Sequence, residues 1–248
     1  MSDATETAKM PNLDECEFVM VSSTASEVSV TAPSRFRYRQ SGGMIWGEYT
    51  GDTVSVGRFA GQRTGDQITI NFAHALADHS GVVLGGGASE IVRAADGRMQ
   101  LIEVFDKDGV EHRSVCVQVD STESWNLPPK VEGDTLQLDG ASFVLESSTA
   151  SLVDSAAPTH FDFQERCGIV WGTYSGDTVT TGHSVGIRQG ETLSESFVHE
   201  LVREGGNETL SGNSTTRITK RTDGRLELLE EFMLDGVSGR SLCVQIKN

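Results

Sequence analysis

The sequence predicts an all-β protein: two tandem eight-stranded antiparallel up-and-down β-barrels related by internal duplication. Three observations lead there. The chain contains itself twice, since Phe36–Leu76 falls on Phe161–Leu201 at an offset of 125 residues with 16 of 41 positions identical. After a two-residue insertion, Asp96–Val119 matches Asp223–Ile246 with 14 of 24 identical. A period of this length is too long for a solenoid unit and suits a small domain. Second, short apolar-alternating segments recur at near-regular spacing, divided by Gly, Asn and Asp turn chemistry. Third, helical periodicity is almost absent. Closing each meander hides the sheet edges that would otherwise pair with other chains. Two open sandwiches, or one enlarged barrel built from both copies, remain the alternatives.

Taken in order, residues 1–12 are polar with no apolar period and read as a disordered tail. The first barrel spans 13–120, a linker 121–137 contains Pro128-Pro129, and the second barrel spans 138–248. Strands are expected at roughly 16–22, 35–41, 44–50, 53–61, 67–76, 83–93, 98–106 and 112–119, and at about 141–147, 160–166, 169–175, 178–186, 192–201, 210–220, 225–233 and 239–246. Asp96-Gly97 and Asp108-Gly109 are strong hairpin signals, because primed turns need positive φ at both central residues. Gly85-Gly86-Gly87 has no helix after it, so it is a bulge or barrel corner rather than a phosphate loop. The repeated Ser22–Ser26 and Ser147–Ser151 segments suggest a cap on a barrel end or over a cavity.

Composition narrows the function. A net charge of −16 argues against nucleic acid and anionic membranes. No apolar run is long enough to span a bilayer as a helix, and the acidic N-terminus is unlike a signal peptide, which suggests a cytoplasmic protein. The four cysteines form no C-x-x-C pair; Cys116 and Cys243 are equivalent and read as small buried hydrophobes. No nucleotide fingerprint, nucleophile elbow or metal-binding spacing occurs, so neither cofactor nor metal is expected.

Alternation selects the candidate site. In the fifth strand Ile68, Ile70, Phe72, His74 and Leu76 share the apolar face, so His74 points into the first lumen and His199 into the second. In the seventh, Glu103 lies on the face of Leu101 and Phe105, as Glu230 does with Leu228 and Phe232. A buried carboxylate needs a partner or an altered protonation state, which suggests His74–Glu103 and His199–Glu230 pairs. Between the copies Ile70 becomes Glu195, Gln40 becomes Glu165 and Arg58 becomes His183, so the second barrel is richer in groups that titrate near neutrality. The candidate catalytic set is therefore His199, Glu230, Glu195, Glu165, His74 and Glu103. A pocket is expected from Tyr38, Trp46, Phe72 and Phe105 in the first copy and Phe163, Trp171, Phe197 and Phe232 in the second.

The string Trp46-Gly47-Glu48-Tyr49-Thr50-Gly51-Asp52, with Gly57, Phe72-Ala73-His74, Asp96-Gly97-Arg98 and Leu101-Ile102-Glu103, resembles small actinobacterial β-barrel proteins of about one repeat unit. In architecture the chain is similar to lipocalin- or avidin-like barrels and to the cofactor-free barrel cyclases of polyketide pathways. That resemblance implies a cofactor-independent cyclase or isomerase acting on a hydrophobic, polyketide-like molecule. The competing readings are a small-molecule carrier and a scaffolding module with filled barrels.

Overall fold

The computed structural model describes residues 11–247 apart from 26, 52, 108–109, 121–124, 131–133, 151 and 204–205, and leaves the side chains of 105–107 and 203 undescribed. The tail expected at 1–12 therefore lies almost wholly outside the described residues. Sixteen strands form two closed barrels. The first comprises β1 (Glu17–Ser23), β2 (Arg35–Ser41), β3 (Met44–Gly51), β4 (Val54–Thr64), β5 (Gln67–Leu76), β6 (Val82–Arg93), β7 (Met99–Lys107) and β8 (Val110–Val119). The second comprises β9 (Ser142–Ser148), β10 (His160–Arg166), β11 (Ile169–Gly176), β12 (Val179–Gln189), β13 (Thr192–Arg203), β14 (Gly206–Lys220), β15 (Leu226–Leu234) and β16 (Val237–Gln245). Each is an antiparallel meander closed by its first and last strands, Glu17 opposite Val119 and Val144 opposite Val244. Among the described residues no helix is long and apolar enough to cross a membrane.

Alternation sets what each strand buries. On β3, Ile45 and Tyr49 face the lumen while Met44 and Trp46 face outward; Val170 and Tyr174 repeat this on β11 against Ile169 and Trp171. Tyrosine can lie flat across the lumen because the strand beside it carries a glycine. A Cβ on Gly57 would stand 2.5 Å from the Tyr49 ring, and one on Gly182 only 2.2 Å from that of Tyr174. The Gly85-Gly86-Gly87 run is neither bulge nor corner. Its pairing with β5 is regular, and the missing side chains make room for the Phe72 ring and the Glu103 carboxylate.

The segment before each barrel plugs one end. Leu13 and Leu138 are fully buried there. The Leu13 amide donates to Gln40 Oε1 (3.0 Å), and the equivalent Leu138 amide to Glu165 Oε2 (2.9 Å). Arg63 and Arg188 lock the two plugs. Arg63 reaches Gln40 Oε1 and the Pro11 carbonyl; Arg188 reaches Glu165 and Asp134. Parts of the linker expected at 121–137 are thus built into the fold, with Trp125 under the Arg37 guanidinium and Asp134 in the second plug.

Outward faces of β3–β5 and β11–β13 pack the barrels together. The seam is built from equivalent residues: Met44 and Ile169, Ala60 and Val185, Ala73 and Val198 are all buried. Its aromatic contacts obey the same exchange. Trp46 stacks on His183 (3.9 Å between centroids), while Trp171 lies under Arg58 (4.2 Å), and both residue pairs are repeat equivalents. Residue i of one copy meets j of the other and the reverse, the signature of a two-fold interface within one chain. Burial pushes the His183 imidazole down to about 4, so it stacks uncharged near neutral pH. Arg58 also holds Glu48 at 3.2 Å, and Glu48 keeps a second partner in Arg37. Replacing Arg58 with Met should cost about 1–2 kcal/mol, read from urea denaturation, without orphaning a charge.

Candidate functional site

The second barrel encloses a cavity of about 340 Å³. It opens at the end bordered by Ala150, Asp177, Thr178, Val202 and Leu234, opposite the Leu138 plug. Ser148 and Ala150, from one of the repeated serine-rich segments, lie on this rim. Apolar walls come from Phe161, Phe163, Phe197, Phe232 and Leu228. The inner part is polar, with Ser184, Glu195, Ser214, Thr216, Glu230 and Ser241.

Topology explains the cluster. Glu195 on β13 lies opposite Ser214 on β14, and Glu230 on β15 lies opposite Thr216 on β14, so the two carboxyl groups straddle one strand on the lumen side. Glu195 is buried, at 7% exposure, and Glu230 is half-buried. Burial first, and then the neighbouring Glu230, push the Glu195 carboxyl up to about 8. The Ser184 hydroxyl draws it back a little, although no hydrogen bond of sound geometry joins the two. Burial raises Glu230 as well, offset in part by Ser241, which donates at 2.5 Å, and by the Ser214 hydroxyl, although no hydrogen bond of sound geometry joins Ser214 to it. At pH 7 Glu195 is therefore mostly a neutral acid. Its Oε1, with Ser184 Oγ and Ser214 Oγ, is buried with no hydrogen-bond partner among the described residues. Unsatisfied buried groups of this kind cost stability and call for a reason.

Sequence pairing placed each histidine with a glutamate, and the structure assigns other hydrogen bonds. Tyr174 Oη lies 3.0 Å from His199 Nδ1, and Tyr49 Oη lies 2.7 Å from His74 Nδ1. Burial raises both phenols well above their usual value, so each keeps its proton, and the imidazole tautomer sets which partner donates. Serines serve the carboxylates: Ser114 donates to Glu103 at 3.0 Å, as Ser241 does to Glu230. A hydroxyl bonds a carboxylate without burying a cation, which suits these lumens.

Other expected residues sort differently. His199, Glu195, Glu230, Phe163, Phe197 and Phe232 meet at the cavity. Glu165 does not reach it, because Leu138 and Arg188 hold its carboxylate in the plug. Trp46 and Trp171 are not pocket walls; parity turns them outward into the seam, with Arg58 and His183. Tyr38 and Phe72 face the first lumen and help fill it, in one apolar cluster with Tyr49, Phe59 and Ile70. His74 and Glu103 face that lumen too, while the Phe105 side chain lies outside the described residues. Sequence reasoning missed Ser184, Ser214 and Tyr174. For two of these the signal was present: Phe59 of the first copy becomes Ser184, and Gly87 becomes Ser214. Among the described residues no group of three His, Cys, Asp or Glu side chains is placed to hold a metal ion.

A family model described as avidin-like protein matches residues 11–119 and again 136–246, once per barrel. The chain belongs to the avidin-like protein family. No curated protein sequence matches it. Among solved structures, the avidin-like chain is similar at low level to the vaccine antigen transferrin-binding protein B from Haemophilus parasuis. That comparison gives 10% identity and a TM-score of 0.30, covering 88% of this chain and 66% of that one. It is also similar to a candidate outer membrane protein from Bacteroides fragilis, with 8% identity and a TM-score of 0.29, covering 96% of this chain and all of that one.

Proposed function

We propose that the second barrel binds a compact, largely apolar small molecule through its open end, while the first is a filled sibling that braces it. One observation carries this reading. Where the first lumen holds Phe59, Ile70 and Gly87, the second holds Ser184, Glu195 and Ser214. Phe59 packs against Tyr38 at 4.7 Å and Tyr49 at 6.4 Å, and its loss in the second copy leaves space over an aromatic wall. Membership of the avidin-like family supports ligand binding inside a barrel.

A neutral solvatochromic dye, Nile red, tests the assignment. It should bind with a stoichiometry of one per chain and a blue-shifted emission. Two sites per chain would contradict the division of labour, and none would remove the binding reading.

The same cavity supports a second reading, a cofactor-free cyclase or isomerase acting on a hydrophobic, polyketide-like substrate. The observation favouring it is Glu195, a carboxyl that titrates near neutrality inside an apolar-walled cavity and could exchange a proton with a bound molecule. This reading requires turnover, which binding alone does not.

A further inference from the structure

We propose that the ligand of the second barrel is an amine carried on a small apolar body, its ammonium group held between Glu195 and Glu230. This rests on the binding reading above and goes on to name the chemical class. The site holds two carboxyl groups and, among the described side chains, no lysine or arginine to meet them. Two carboxyl groups, Glu195 buried and Glu230 half-buried, straddle β14, and the groups facing them from every neighbouring strand are hydroxyls, a thiol and one imidazole. These are Tyr174 on β11, Ser184 on β12, Ser214 and Thr216 on β14 and Ser241 and Cys243 on β16, with His199 on β13 bonded to Tyr174. Among the described side chains no lysine or arginine lines the cavity, and the rim adds Asp177. The plug of the same barrel shows the contrast, since there Arg188 meets Glu165 directly.

Glu195 lines the cavity and is more than nine-tenths buried, and its Oε1 has no hydrogen-bond partner among the described residues. An ammonium group supplies three donors, enough for Glu195 Oε1, Ser184 Oγ and Ser214 Oγ, three buried acceptors without a hydrogen-bond partner among the described residues. The walls agree: Phe161, Phe163, Phe197 and Phe232 offer ring surfaces that tolerate both an apolar body and a cation. An anionic ligand would bring a further acidic group into a site that already holds two carboxyls.

The proton balance follows. The amine arrives as an ammonium ion, Glu195 gives up its carboxyl proton to solvent, and the new ion pair takes the place of that proton. Binding therefore releases up to one proton and strengthens with rising pH while Glu195 is protonated in the free protein.

Isothermal titration calorimetry of the full chain with 2-phenylethylamine, 2-phenylethanol and 3-phenylpropanoate tests this. The amine should bind at least 30-fold more tightly than the alcohol, and the carboxylate most weakly. Amine affinity should rise several-fold per pH unit from pH 5.5 to 7.5. Repeating the pH 7 titration in phosphate and in Tris should show release of more than half a proton per amine. Glu195→Gln should remove both the pH dependence and the proton release of amine binding. Equal affinity for amine and alcohol, preference for the carboxylate, or amine binding without proton release overturns the amine assignment while the cavity-binding reading stands. Failure of all three ligands and of Nile red overturns both. The proton count is taken on the native protein, so it decides the matter even where Glu195→Gln folds poorly.

Discussion

Replacing Glu195 with Gln is expected to change how stability depends on pH, by roughly 3–5 kcal/mol between pH 4.5 and 8. The carboxyl titrates at about 8 in the folded chain against an ordinary value of 4.5. Its folded pKa is raised, so its contribution is fully present below about pH 4.5, where folded and unfolded chains are both protonated. As the pH climbs the unfolded chain ionises first, and the contribution is lost until the folded carboxyl titrates near pH 8. Each unit of displacement is about 1.4 kcal/mol, which sets the size. Glutamine has the shape and no proton to lose. Urea denaturation of both proteins across pH 4.5–8.5 should therefore give a difference that grows in favour of the variant as pH rises. A constant difference would mean that Glu195 is ionised in the folded state at pH 5, and the account of the cavity floor would fail.

The difference curve isolates this residue, which the native curve does not. Burial raises Glu230 and Glu103 as well, and both tilt stability the same way. His183 works in the opposite sense. Its folded value of about 4 lies below the ordinary 6.5, so the stability it contributes is present above that value and is lost as pH falls toward 4. A carboxylic acid kept in this state is costly, and retaining it makes sense when a bound molecule draws on it.

Much of the architecture was legible in the sequence because duplication and alternation each speak to the whole chain at once. A lumen of eight short strands leaves one face for apolar side chains, so parity on β5 and β13 placed His74 and His199 inward. Parity could not choose between the two faces of β3, where Trp46 and Tyr49 are both aromatic. That choice was made by the second barrel, whose packing needs Met44, Trp46, Ala60 and Ala73 on the outside. A strand pattern carries no record of which outer face will meet a neighbour. The hydroxyl partners of these groups were not foreseen for a related reason: they sit on other strands, at positions where serine and tyrosine look unremarkable. Glu165 misled in its own way. Its inward parity is real, but it stands at the plugged end, and distance along the barrel axis follows from register, which the repeat does not encode. Lumen positions that differ between the copies, Phe59 against Ser184 first among them, mark the cavity.

That comparison leads to the other large expected effect. The double variant Ser184→Phe with Glu195→Ile restores to the second lumen the pair that fills the first. Phe59 lies within 4.7 Å of Tyr38, and the second barrel offers Phe163 at the equivalent place, so the introduced ring has an aromatic seat ready. Removing a buried acid and two unsatisfied oxygens while adding apolar surface should stabilise the protein by about 2–4 kcal/mol at pH 8. The same change should abolish the cavity and weaken Nile red binding at least 100-fold. Stability and binding are thus expected to move in opposite directions, as they do where a site is kept open at the expense of its core. The reverse change, Phe59→Ser with Ile70→Glu, should destabilise the first barrel by a similar amount. A filled second barrel that still bound the dye with native affinity would place the ligand elsewhere, and the polar floor would need another explanation. Because one experiment reads melting and the other fluorescence, a variant that misfolds cannot be mistaken for one that has merely lost its cavity.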